Sequence, residues 1–110
     1  MKEGKSNKII QDWLVSIGAY VFKTVASNRA GVHDIIFCLA GRFGTIEGKT
    51  KIGKASTLQA VHLRAVQKAG GFAMIAKSVA EAKLGVTQWI NSGYTQQYDS
   101  NIKDLEKFTL

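Results

Sequence analysis

Proline is absent from this chain, and cysteine occurs once, at Cys38. A lone cysteine excludes an intrachain disulfide and any cysteine-based zinc cluster. It sits inside an apolar run and reads as a small core residue rather than a nucleophile. There are two histidines, His33 and His62, and neither has a partner that would make a serine or cysteine nucleophile constellation. No apolar run approaches the roughly 18 residues that cross a bilayer, and the basic, polar N-terminus lacks the apolar segment of a secretory leader. The expected compartment is the cytosol, with no membrane partner. Internal repeats and low-complexity tracts are missing as well. Acid is scarce: 8 acidic residues face 15 basic ones, leaving a net charge of +7. Such an excess in a short chain fits a polyanionic partner, and the plainer alternative is a merely soluble basic protein. An anionic membrane fits less well, because no helix pairs a basic face with a bulky apolar one.

What is present is enough apolar residue, 45% of 110, for one modest globular core. Residues 3–17 show helical spacing, with Ile9, Ile10, Trp13, Leu14 and Ile17 on one stripe and Gly18 as the stop. Glu3 lies a full helical repeat before Ile10, at the edge of that stripe, where it would also complement the helix dipole. Residues 19–25 are β-rich and predict a strand. Two further short strands flank Ala40-Gly41. Ser56 and Gln59 have capping-box spacing and open a second helix, which continues through Val61, Ala65, Val66 and Ala69 to Gly70-Gly71. Residues 72–76 are continuously apolar, as a buried strand should be, and following a helix they predict a parallel crossover. Ser78 and Glu81 form a second capping box, opening a helix with Val79, Ala82, Val86, Trp89 and Ile90 inward. Gly85 within it costs about 1 kcal/mol. The reading is an α/β domain, α-β-β-β-α-β-α, with a mixed sheet of about four strands flanked by helices. It covers residues 1–92, and residues 93–110 form a polar tail in which Ile102, Leu105 and Phe108 recur at helical spacing.

The chemistry concentrates around Ala40-Gly41. A two-residue turn that sets Leu39 opposite Arg42 also sets Asp34 opposite Glu47, and a four-residue loop gives the same register. Facing side chains lie about 5 Å apart, so two opposed carboxylates need a compensating cation. Lys49, two residues after Glu47, projects from the same face. Asp, Glu and Lys together make a hard-metal site with a lysine beside it. A three-residue loop would instead place Ile46 opposite Asp34 and turn Glu47 away. Solvated charges at strand ends are the ordinary alternative. Lys51 and Lys54 follow in a basic, glycine-containing loop that could hold a phosphate backbone, and Lys23 and Arg29 could do the same. That loop is not a P-loop, since no Gly-Lys-Ser/Thr opens a helix.

Gly31-Val32-x-Asp34, an apolar strand, Gly41-Arg42-Phe43 and then Ile46-Glu47-x-Lys49 resemble the PD-(D/E)XK nuclease motif, in particular its small VRR-NUC branch. The resemblance runs from about residue 3 to about residue 76 and takes in Ser56-x-x-Gln59 and Ala69-Gly70-Gly71. It implies a restriction-endonuclease-like core and a metal-dependent, structure-selective DNA endonuclease of a bacterial or phage-infected cell. It further implies Mg²⁺ or Mn²⁺ held by Asp34, Glu47 and the Gly48 carbonyl, with Glu3 reaching toward the metal. Lys49 and Gln59 would complete the catalytic set, with no small-molecule cofactor. The implied substrate is branched DNA such as the four-way (Holliday) junction, which one small domain can cut symmetrically only as a homodimer. His33 stands where the family usually has proline, and Gly48 where a β-branched apolar residue is common. A flap, nicking or restriction-type nuclease and a non-catalytic DNA-binding module are the competing expectations.

Overall fold

The structure, a computed structural model, describes residues 3–23, 35–48 and 57–95. Along them run α1 (Glu3–Ser16), β1 (Tyr20–Lys23), β2 (Ile35–Leu39), β3 (Arg42–Gly48), α2 (Thr57–Lys68), β4 (Phe72–Ala76) and α3 (Val79–Asn91). The element order is the one read from the sequence.

β2 and β3 pair antiparallel, with Leu39 opposite Arg42 and Ile35 opposite Ile46. The two-residue loop is therefore the one adopted. Ala40 and Gly41 are both left-handed, at φ 54° and 77°, the backbone whose twist matches that of the flanking strands. β1 adds antiparallel to β2, and β4 adds parallel to β3 after the α2 crossover. The result is a mixed sheet in the order β1-β2-β3-β4, with the hairpin in its middle.

Without proline, the helices stop on glycine. At the end of α1, Gly18 takes φ 99° while Ala19 N–H donates to the Leu14 carbonyl and Gly18 N–H to that of Val15. This pair of bonds is a Schellman motif, and α2 and α3 close in the same way at Gly70 and Gly93. α3 begins on Ser78, whose hydroxyl accepts from the Glu81 N–H at 3.0 Å.

Alternation along the strands sorts side chains onto two unlike faces. On one, Ile35, Phe37, Leu39, Ile46, Phe72, Met74 and Ala76 meet Ile10 and Leu14 of α1 and Ala82, Val86 and Trp89 of α3. Each large side chain buried here is worth about 1.5–3 kcal/mol. Trp89 stacks on Phe72 at 4.8 Å, and the Phe37 ring lies over Gly44 on the facing strand, where a Cβ would fall inside the ring. Gly85 lets α3 settle on β4: a Cβ there would come within 2.6 Å of the Met74 sulfur.

The other face carries α2 through Ala60 and Leu63 on Ala73, with Val66 and Ile75 alongside. Here the expected α2 stripe is rotated. Ala60, Leu63 and Gln67 are the buried positions, whereas Ala65 and Ala69 are exposed and Val61 is half-buried. Gln67 can face inward because its amide Nε2 donates to the Ala73 carbonyl at 3.2 Å. Two smaller expectations also change. Ile9 is 43% exposed, at the margin of a stripe centred on Ile10 and Leu14. Cys38 is half-buried on the α2 side of the sheet and stands outside the main core. Within the tail, Ile102, Leu105 and Phe108 lie outside the described residues.

Candidate active site

Among the described residues, the buried polar side chains are Thr45, Glu47 and Gln67, and all three belong to the α2 side of the sheet. The α1/α3 side is wholly apolar. This asymmetry follows from strand parity. Ile46 points into the large core, so its neighbours Thr45 and Glu47 must point toward α2.

Glu47 is 1% exposed, near the end of a central strand and paired with Ile75 of the parallel neighbour. An ionised carboxylate in such a place is expensive unless hydrogen-bonded or set against a cation. Its Oε1 accepts a hydrogen bond from Gln59 Nε2, in the first turn of α2. Gln59 thus spans from helix to strand and holds the acid. Ser56, its expected capping partner, lies outside the described residues. Two residues before Glu47 on the same face, the Thr45 hydroxyl is buried without a hydrogen-bond partner. His62, one turn beyond Gln59, is half-buried on α2.

The structure therefore brings Glu47 and Gln59 together. Gly48 is the last residue of β3, paired with Ala76, so the ladder runs through the glycine. Glu3 is the first residue of α1, and Lys23 the last of β1. α1 ends close to the start of β1, at the hairpin-turn end of the sheet. The side chains of Glu3 and Lys23, and the residues Arg29, Asp34, Lys49, Lys51 and Lys54, lie outside what the structure describes, as does His33. Among the described residues no group of three or more His, Cys, Asp or Glu converges, and no helix is long and apolar enough to cross a membrane. A hard cation fits the one donor set that can be judged: a buried carboxylate at a strand end, held by a neutral amide.

Sequence reasoning passed over Thr45. The only signal available was its two-residue spacing from Glu47, which places both on one face once the register is known.

No family model matches the sequence, and no curated protein matches it. A solved structure of a VRR_NUC domain superposes with a TM-score of 0.70, covering 81% of this chain and 98% of its own length, at 21% sequence identity. At that identity the likeness is one of architecture. The four-stranded mixed sheet and its flanking helices are those of the VRR_NUC fold.

Proposed function

We propose that this protein is a metal-dependent DNA endonuclease with its active centre at Glu47. The observation that carries the reading is the buried Glu47 carboxylate, held by Gln59 at the end of the central hairpin of a VRR_NUC fold. Such a placement serves no packing purpose that a neutral residue would not serve better. The β2–β3 register, continued by one pair beyond Ile35 and Ile46, would set Asp34 opposite Glu47. Those two carboxylates and the Gly48 carbonyl would then hold Mg²⁺ or Mn²⁺. Glu3 would be a further acid approaching from the start of α1.

The bound cation would supply charge neutralisation on the phosphate and a more acidic water. The chain's own groups do the rest. Glu47 would hold the cation that the reacting phosphate meets, and Gln59 fixes Glu47. Lys49 orients or deprotonates the attacking water, or offsets negative charge as it develops on phosphorus. The water oxygen forms the new P–O bond while the bond to the departing strand breaks. Lys23, Arg29, Lys51 and Lys54 take neighbouring phosphates, which makes affinity fall steeply with salt.

The substrate we favour is branched DNA, the four-way junction above all, cut by a homodimer carrying two such sites. The test is cleavage of a labelled four-way junction beside its matched linear duplex, in Mg²⁺ or Mn²⁺, by wild type and Glu47→Ala. Paired cuts near the branch that vanish in the variant support the full reading. Equal cutting of linear or flapped DNA retains the nuclease and removes the junction preference. Salt-sensitive binding without cutting in either metal would refute the enzyme and leave a DNA-binding module.

A further inference from the structure

Among the described residues, one helix covers the face of the sheet that Glu47 shares: α2 lies over the β3–β4 half, and no described element lies over the β1–β2 half. Across it the register lines up Tyr20, Cys38 and Phe43 in one row, then Phe22, Ile36, Thr45 and Ala73 in the next. Glu47 belongs to the row after that. Tyr20 is 70% exposed, Phe22 45% and Phe43 46%, whereas the aromatics of the opposite face are sealed in the core. The Tyr20 and Phe22 rings are 5.6 Å apart and tilted by 56°. Single exposed aromatics are commonplace; three on one continuous strip of sheet, leading to a buried acid, are not accounted for by chance exposure.

We propose that this open half-face is a stacking platform for unpaired bases of the nucleic acid whose phosphodiester lies at Glu47. The inference rests on the nuclease reading above and deepens it. Three observations favour bases as the occupant. The strip is continuous with the site, since Phe22 is two strands and one row from Glu47, roughly 12 Å between backbone positions. The chain carries +7, so a polyanion is drawn to it. Exposed aromatic rings on a sheet also take any base by its flat face, without regard to sequence. A paired base has both faces covered by its neighbours in the stack. The platform therefore selects DNA whose bases are already free, as at a branch, fork or flap, and supplies a physical basis for structure selectivity.

The experiment uses the full chain with Glu47→Gln, which binds without cutting, and compares it with the same protein carrying Tyr20→Leu and Phe22→Leu. Leucine keeps the face apolar and removes the rings. Fluorescence anisotropy is read on a forked duplex with unpaired arms and on its fully paired counterpart, with 2-aminopurine in one arm reporting stacking. The expected result is at least about fivefold weaker binding of the fork for each ring lost, loss of 2-aminopurine quenching, and duplex affinity within about twofold. Unchanged fork affinity and quenching in the leucine variant would overturn the platform, even if the wild type cuts DNA normally. A shift in oligomeric state on Tyr20→Ala and Phe22→Ala, with fork binding intact in the leucine variant, would also overturn it and assign the face to a second copy of the chain. Failure of the wild type to cut any DNA is a separate result and bears on the nuclease reading.

Discussion

Replacing Glu47 by glutamine separates a functional carboxylate from a structural one, because the two roles predict opposite changes in stability. Glutamine has nearly the same shape, and its side-chain oxygen can still accept from Gln59. Burying the ionised acid costs several kcal/mol after relaxation, and a charge-assisted hydrogen bond returns about 1.5–3 kcal/mol. The neutral amide forgoes the ionic desolvation and keeps about 1 kcal/mol of the hydrogen bond. A buried ion, even with partners, roughly breaks even with or loses to a neutral isostere, so Glu47→Gln should stabilise the metal-free protein by about 1–2 kcal/mol. At about 5 °C per kcal/mol for a domain of this size, Tm should rise by roughly 5–10 °C. Metal acts in the opposite direction. At ten times its Kd, Mg²⁺ stabilises the wild type by about 1.4 kcal/mol, whereas the variant gains almost nothing. Calorimetry of both proteins in EDTA and then in Mg²⁺ reads all four values. A variant less stable than wild type in EDTA, with equal Mg²⁺ shifts in the two proteins, would refute the argument and make Glu47 a structural acid.

Gln59→Leu removes the donor to Glu47 and should slow single-turnover cleavage by about 10- to 100-fold, the equivalent of a charged hydrogen bond. Because Gln59 is only partly buried, Tm should move by less than the rate implies; a large fall in Tm with normal cleavage would mark it as a helix-capping residue instead. Ala40→Asn should raise stability by about 1 kcal/mol in urea titration, since Ala40 is held at φ 54°, a left-handed conformation that costs asparagine less than alanine. Gly44→Ala should lower the urea midpoint by the equivalent of about 1–3 kcal/mol with m unchanged, because the new methyl group displaces the buried Phe37 ring.

The register that organises the centre of the molecule was only half-legible in the sequence, and Ala40 is the reason. Asparagine-glycine would have specified a two-residue turn; alanine in a left-handed conformation gives no local signal and is carried by the strands on either side. The rotated stripe of α2 has a similar cause. Gln67 counts as solvent-facing on any hydropathy pattern, yet it is buried because one carbonyl, that of Ala73, is placed to accept from it. Element types and order were legible because the periodicities of α1, β4 and α3 are strong and each helix ends on glycine. What local pattern cannot contain is the allotment of helices to faces. Two pack on one side of the sheet and one on the other, and Tyr20 and Phe22, in a run that reads only as a strand, are exposed.

Glu47 is a different kind of exception. A glutamate in an interior strand disagrees with β-propensity, with burial and with the apolar face opposite, and Gln59 is placed to hold it. A residue that violates propensity, patterning and packing together is the kind expected at a functional site. Thr45, two positions earlier with its hydroxyl buried and unpartnered, extends the same violation along the strand. The α2 face thus places polar side chains in the interior along a line that ends at Gln59, whereas the core of the α1/α3 face is built from hydrophobic side chains. The larger core lies on one side of the sheet, and the buried polar side chains lie on the other.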